Sequence, residues 1–347
     1  MIASLQERIR QAASRRTALR LRGGGSKDFY GNALHGEILD TRGLAGIVDY
    51  EPTELVITAK GGTPLSELEV ALSANNQILP FEPPHFGPNA TIGGCIAAGL
   101  SGPRRASAGA LRDFVLGVRL IDGRGDALRF GGQVMKNVAG YDVSRVIAGS
   151  LGTLGLIAEV SLKLAPTPPE EITLQLEAPQ ARALELMNRW AGQPLPISAT
   201  AWHGDDLMVR LSGAEPAVRA AAAAIGGETI DNAFWRGVRE HTDPFFAGDE
   251  PLWRLSLPST SPPLALEGRQ LIEWNGGLRW LKSRTPASAL REALQRVKGH
   301  ATLFRAADKS AGCFAPLEPV LERLHRELKS AFDPAGIFNP GRLLAER

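Results

Sequence analysis

Three glycine-rich stretches in the first half of the chain carry residue types suited to anion binding. The first is Arg22-Gly23-Gly24-Gly25-Ser26-Lys27. Without side chains, successive backbone N–H groups can converge on an anion, and a loop leaving a strand makes a nest for a phosphate. Each hydrogen bond to a charged group contributes roughly 1.5–3 kcal/mol, so a few converging amides give substantial affinity. Lys27 adds a cation beside them; a tight glycine turn without a ligand is the alternative reading of this loop taken alone. The second stretch is Pro88-Asn89-Ala90-Thr91-Ile92-Gly93-Gly94, continuing through Gly99 to Ser101-Gly102. Its small residues let a flat ring and its pyrophosphate approach the backbone, although a connection packed for its own sake has the same composition. So long an irregular stretch inside a compact domain is uncommon without a function. The third joins Lys136-Asn137-Val138-Ala139-Gly140-Tyr141-Asp142 to Gly149-Ser150-Leu151-Gly152-Thr153-Leu154-Gly155-Leu156-Ile157.

Two better-known phosphate loops are excluded. Gly25-Ser26-Lys27 lacks the spacing of a Walker A loop, and Gly23-x-Gly25 meets Asp28 where a dinucleotide-binding Rossmann turn needs its third glycine. Gly149, Gly152 and Gly155 are spaced by three but follow a helix pattern rather than a strand.

The bulk numbers narrow the class. The 347 residues allow two core-bearing domains, and 44% hydrophobic with 22% charged residues is ordinary for a soluble globular protein. A net charge of +2 without a basic run argues against a nucleic-acid partner. Two cysteines, Cys95 and Cys313, imply no disulfide framework and a reducing compartment. They also fall short of the four thiolates that an iron–sulfur cluster normally takes. Electrons handled by this chain must therefore pass through an organic cofactor or leave through another chain. The N-terminus has no signal-peptide core, and the apolar stretch Thr91 to Leu100 is too short to span a bilayer. No metal site is expected.

The elements that must position these loops read as follows. A helix capped by Ser4 opens the chain, with Leu5 and Ile9 on one face. Strands are expected at Leu19 to Arg22, Ile38 to Asp40, Ile47 to Tyr50 and Leu55 to Ala59. A helix from Pro64 to Ile78 stacks Leu65, Leu68 and Leu72. An irregular span to Gly109 precedes a hairpin from Phe114 to Phe130, turning at Asp122-Gly123-Arg124-Gly125-Asp126. A short helix fits 141–149 and a strand Leu156 to Leu164. After Pro166-Thr167-Pro168-Pro169 the pattern changes to strands alternating with helices at Gln180 to Trp190, Glu215 to Ile225 and Pro286 to Val297. That order suggests a ferredoxin-like α+β layer, used twice. Val320, Leu321, Leu324, Leu328 and Phe332 form one helical stripe, and the glycine–proline texture after it brings the C-terminus back to the first domain.

Together the three loops resemble the FAD-binding domain of the p-cresol methylhydroxylase/vanillyl-alcohol oxidase family. That family pairs a Gly-Gly-Gly loop with Thr-Ile-Gly-Gly, Gly-Tyr-Asp and Gly-Ser-x-Gly-Thr-Leu-Gly. The ending Asp333-Pro334-x-Gly336-Ile337-Phe338-Asn339-Pro340-Gly341-Arg342 is similar too, with Arg for the usual Lys. The runs Phe81-Glu82-Pro83-Pro84-His85, Gly102-Pro103-Arg104-Arg105, Arg129 to Asp142 and Gly277-Leu278-Arg279-Trp280-Leu281-Lys282-Ser283 are similar to the FAD-binding subunits of bacterial glycolate oxidases in particular.

The resemblance implies an α+β architecture. Residues 1–167 would form a two-subdomain FAD-binding domain of the p-cresol methylhydroxylase (PCMH) type. A smaller ferredoxin-like cap would occupy 168–312, and 313–347 would return to the FAD domain. It implies non-covalent FAD, since Ser26 stands where covalent relatives carry a His. By the same resemblance Gly23, Gly24, Gly25, Ser26, Lys27, Pro84, Thr91, Ile92, Gly93, Gly94, Gly99 and Gly102 surround the pyrophosphate. Gly152, Thr153, Gly155 and Ile157 follow the adenosine half, and Asn339 and Arg342 approach the isoalloxazine. The implied function is that of the FAD-binding subunit of a complex oxidising glycolate, a 2-hydroxy acid. Its partners would be a second flavoprotein subunit and an iron–sulfur subunit. The complex would be cytoplasmic, reaching the inner membrane only through partners. A self-contained flavin-dependent 2-hydroxy-acid dehydrogenase and an assembly subunit with structural FAD are the rival readings.

Catalytic members carry a His-rich segment in the second domain, and His35, His85, His203, His241, His300 and His325 do not reproduce its spacing. Arg279 and His300 remain as candidates for holding a carboxylate and accepting a proton. Each also has a structural reading. Arg104-Arg105 reads as a solvated pair, and Cys95 as an inert core thiol.

Overall fold

A computed structural model describes residues 1–133 and 142–344 of the chain. The expectations for Lys136 to Tyr141 lie outside the described residues. Two antiparallel sheets organise the rest. The first has five strands in the order Ile47–Glu51, Val56–Lys60, Leu156–Lys163, Val115–Ile121 and Ala127–Gly131. One face meets Leu65, Leu68 and Leu72 of helix Leu65–Ser73 and Ile92, Cys95 and Ile96 of helix Ile92–Ala98. The other face meets the opening helix Ile2–Arg15 through Leu5, Ile9 and Ala12. A central strand buried on both faces loses strict alternation, which explains the near-continuous apolar run Leu156 to Val160.

Strand Leu19–Arg22 runs parallel to Glu37–Asp40 beside this second layer. The C-terminal tail joins it there. Leu19 N–H donates to Ile337 O at 2.7 Å, Asn339 N–H donates to Leu19 O at 2.9 Å, and Ile337 and Phe338 are buried. The Arg-Gly-Asp tripeptide is a turn closed by Asp122, whose carboxylate accepts from the Arg124 and Asp126 amides at 2.9 Å.

The second sheet has eight antiparallel strands and repeats one plan. Glu170–Glu177, Ile197–His203, Asp206–Gly213 and Glu228–Ile230, with helices Gln180–Ala191 and Glu215–Ile225, give spatial order 4-1-3-2. Leu252–Ser256, Arg269–Glu273, Leu278–Lys282 and His300–Arg305 give the same order with helix Ala287–Gln295. The two halves join edge to edge through Ala201 opposite Glu273 and Trp202 opposite Ile272. This is the ferredoxin-like layer used twice. In the second copy the first helix is replaced by a loop, where Pro258, Pro262 and Pro263 remove amide donors.

Three readings need correction. The opening helix begins at Ile2, so Ser4 lies inside its first turn and makes no cap. The supposedly irregular span contains helix Ile92–Ala98, with Thr91 as its cap. Two glycines in its first turn hide it in sequence, since each costs about 1 kcal/mol relative to Ala; burial of Ile92, Cys95 and Ile96 overrides that cost. The stripe on helix Pro319–Phe332 is only half used: Leu328 and Phe332 pack on the first core, while Val320, Leu321 and Leu324 are 60%, 49% and 49% exposed. No helix among the described residues is long and apolar enough to cross a membrane.

Candidate functional site

The chain leaves strand Leu19–Arg22 at Gly23, and the amides that follow have no partner. None of the N–H groups of Gly23, Gly24, Gly25, Ser26 and Lys27 donates to another group among the described residues. Five successive amides without a protein partner form a nest that suits a diphosphate. Asp28, just beyond, is held by Arg20 and by Arg22 Nε, the latter at 2.9 Å, so its charge is compensated. Lys27 Nζ donates to His85 O at 3.2 Å, and burial lowers its pKa from the usual lysine value. An anion in the groove would oppose that shift.

The loop is tight because it packs on the second stretch. A Cβ on Gly24 would lie 1.4 Å from Asn89 O, so no other residue fits there. Thr91 Oγ1 accepts from Gly94 N–H at 3.3 Å. Gly93 turns out to serve the protein itself: its N–H donates to Gly61 O at 2.7 Å, and an added Cβ would fall 2.7 Å from that same oxygen. Gly94 is the residue with room, since its Cβ would meet only Thr91 Oγ1 at 3.2 Å.

These elements enclose one continuous groove. Of the residues expected at a cofactor, Gly23, Gly24, Gly25, Ser26, Lys27, Thr91, Gly93, Gly94, Gly152, Gly155, Ile157, Asn339 and Arg342 line it. Pro84, Ile92, Gly99, Gly102 and Thr153 do not. Ile92 is wholly buried in the first core, Gly99 ends its helix against Gly149, and Gly102 packs on Glu82. Thr153 lines a separate recess with Lys329 and His325. Sequence reasoning missed Ala97, Ala98 and Leu151 in the groove wall; Ala97 and Ala98 lie in the helix that was not anticipated.

Asn339 and Arg342 act on the groove through the backbone. Asn339 Oδ1 accepts from Leu21 N–H at 2.9 Å and Nδ2 donates to Leu151 O at 2.6 Å, tying two walls together. Arg342 donates to the carbonyls of Asp28 at 2.9 Å and of Tyr30 and Asn32, with a longer contact to Lys27 O at 3.4 Å. Its guanidinium is spent on holding the segment after the glycine loop.

Above the groove lies the second sheet, and its near face carries Leu252, Leu271, Leu278, Trp280 and Phe304 packed against Tyr30, Ala98 and Leu100. Arg279 points the other way. It is 0% exposed, donating to Ser261 O at 2.5 Å and Pro262 O at 2.9 Å, and burial brings its pKa down to about 10. The carboxylate-clamp reading is therefore corrected: Arg279 anchors the proline-rich loop that replaces a helix. His300 stands opposite Ser256 at the start of an edge strand, exposed, with its pKa lowered by burial and by Arg254. Arg254, unremarked in sequence, lies mid-strand on the near face. Glu273 accepts from Trp280 Nε1 at 2.7 Å, and burial pushes its carboxyl up to about 7. Arg104 and Arg105 are no solvated pair. Arg104 binds Glu171 at 2.6 Å and Glu82 at 3.3 Å, and Arg105 lies over the Trp274 ring. The Cys95 thiol is buried and pushed up to about 12. No group of three His, Cys, Asp or Glu able to hold a metal occurs among the described residues.

Comparison with known proteins agrees with this geometry. Residues 2–131 match the FAD binding domain family. The glycolate oxidase subunit GlcE of Escherichia coli is 49% identical over 343 residues, spanning 99% of this chain and 97% of that protein. The glycolate oxidase subunit GlcD of Bacillus subtilis is 33% identical over 40% of this chain and 29% of its own length. Among solved structures, alkyldihydroxyacetonephosphate synthase superposes with a TM-score of 0.67 at 14% identity, over 98% of this chain and 75% of that one. This likeness shows the fold alone, while the family match makes the first portion a PCMH-type FAD-binding domain. The chain belongs to the GlcE family of glycolate oxidase subunits, and its cofactor is FAD.

Proposed function

We propose that this chain is the FAD-binding subunit of a glycolate oxidase complex, in which glycolate becomes glyoxylate. The observation that carries the reading is the run of five unpartnered amides at Gly23 to Lys27, in a chain alike to GlcE over nearly its whole length. In this reading those amides and Lys27 hold the diphosphate of FAD, and Gly94 and Ala97 form the wall against which it lies. Gly152, Gly155 and Ile157 follow the adenosine half. Asn339 and Arg342 keep the groove in shape from behind. Bound there, FAD supplies a two-electron acceptor that can release electrons singly.

A second flavoprotein chain and an iron–sulfur chain complete the assembly. Cys95 and Cys313 are both buried, and two thiols cannot ligate a cluster that normally takes four. The single-electron outlet therefore belongs to another polypeptide. The complex works in the cytoplasm and meets the membrane through those partners.

The test is purification of the tagged chain from its own cells, followed by glycolate-dependent reduction of an artificial electron acceptor. Co-purifying flavoprotein and iron–sulfur chains with glycolate-dependent activity support the reading. A chain recovered alone, or with partners inert to glycolate, contradicts it.

A further inference from the structure

Arg254 sits in the middle of strand Leu252–Ser256, opposite Trp280 on one neighbour and Thr302 on the other. That register places it on the sheet face that packs against Tyr30, Ala98 and Leu100. A partly buried arginine is normally paired. Arg104 and Arg210 bind Glu82, Arg279 binds three carbonyls, and Arg342 binds a row of them. Arg254 has no hydrogen-bond or ion-pair partner among the described residues. Its guanidinium lies 5.2 Å from the centre of the Trp274 ring. Arg105, from the other side of the seam, places its own guanidinium 4.4 Å from the same ring and likewise has no polar partner among the described residues.

Two unpaired guanidiniums gathered at one indole repel each other, and the fold keeps them there. Burial and then Arg254 lower the pKa of Arg105. Glu273, the acid nearest in register, attracts Arg254 through space but makes no ion pair with it: its carboxylate is turned to the Trp280 indole, and burial favours its neutral form. The missing charge is an anion. Planar guanidinium forks match a carboxylate. The diphosphate already has its own donors at Gly23 to Lys27.

We propose that Arg105 and Arg254 form a carboxylate-binding site beside Trp274, taking the carboxylate of a small 2-hydroxy or 2-oxo acid. The anion site rests on the two arginines; only the 2-hydroxy-acid class rests on the proposed function. Ala98 belongs both to the groove wall and to the aromatic cluster that includes Trp274, so the site adjoins the cofactor groove. His300, on the same face, feels the charge of Arg254.

The experiment titrates the FAD-loaded chain with glycolate, glyoxylate and oxalate, reading tryptophan fluorescence and the flavin difference spectrum. Saturable binding is expected, weakened about tenfold or more in Arg254→Gln and Arg105→Gln, as for loss of a charged hydrogen-bond pair. Arg254→Lys, which keeps the charge without the fork, is expected to fall between. Glycolamide, the neutral analogue, is expected not to bind. Unchanged affinity in folded variants, equal binding of glycolamide, or no saturable binding to the loaded wild-type chain overturns the site. Should Arg254→Gln fail to fold, the Lys variant and glycolamide decide. Flavin content and turnover of the assembled complex are read separately, so the site can fail while the proposed function stands.

Discussion

Arg210, on the cap sheet, reaches Glu82 in the FAD-binding portion at 2.9 Å, while Arg104 donates its backbone N–H to the same carboxylate at 2.8 Å. Arg104 also binds Glu171 of the cap at 2.6 Å, so four charges close the seam in a linked network. Burial alone would raise the Glu82 pKa, but Arg210 and Arg104 together bring it below the usual value. A carboxylate depressed in the folded state adds stability above its unfolded pKa and loses it as pH falls through the folded one.

Glu82→Gln should therefore destabilise the protein by about 3–5 kcal/mol at neutral pH, because it leaves buried Arg210 with only the long 3.9 Å contact to Glu171 and Arg104 with one carboxylate in place of two. The difference from wild type should begin to shrink as pH drops below the ordinary glutamate value of about 4.3, and be lost as pH falls through the lower folded-state pKa of Glu82. Urea denaturation across that range checks both statements. A difference independent of pH would remove the charge network from the explanation.

The two neighbouring glycines of the second stretch should behave differently. Gly93→Val forces a side chain onto the Gly61 carbonyl and should leave little folded protein. Gly94→Val meets only Thr91 Oγ1 and projects into the groove, so the chain should fold yet bind little FAD. The checks are far-UV circular dichroism and the flavin-to-protein absorbance ratio. A folded, fully loaded Gly94→Val would show that FAD lies elsewhere.

The flavin should be held without a covalent bond. Ser26 occupies the place where covalent relatives have a His, and no His, Cys or Tyr lines the groove among the described residues. Acid precipitation should leave all yellow colour in the supernatant. Colour retained in the pellet contradicts this.

The sequence was most readable where a single physical rule dominated. The stripe of Leu65, Leu68 and Leu72 and the alternating cap strands obey period and burial. The doubled βαββαβ plan followed from element order, even though a proline-rich loop replaces one helix. The glycine loops were legible as candidates for anion binding because free amides need no side chain. The misreadings have one cause, contacts between residues distant in sequence. Gly93 lines the groove, but its hydrogen bond to Gly61, 32 positions away, left no local sign in the sequence. Arg279 looked available because nothing local reveals that Ser261 and Pro262 would claim its donors. Arg254 escaped notice for the converse reason: an arginine in an alternating strand reads as solvent-facing until the sheet gains a neighbour on that face.

In the proposed function, this chain's FAD works in glycolate oxidation only within a complex. Oxidation of a 2-hydroxy acid needs both a hold on the carboxylate and a base for the hydroxyl proton. Arg105 and Arg254 supply the first. For the second, His300 is exposed at an edge strand, and His241 is half-buried and stacked on Phe246 at 3.9 Å. Anaerobic rapid mixing of glycolate with the pure, FAD-loaded chain should leave the flavin band unchanged. The same mixing with the assembled complex should bleach it. Rapid, complete bleaching of the isolated chain by glycolate or D-lactate would contradict the subunit account and make the chain a dehydrogenase in its own right.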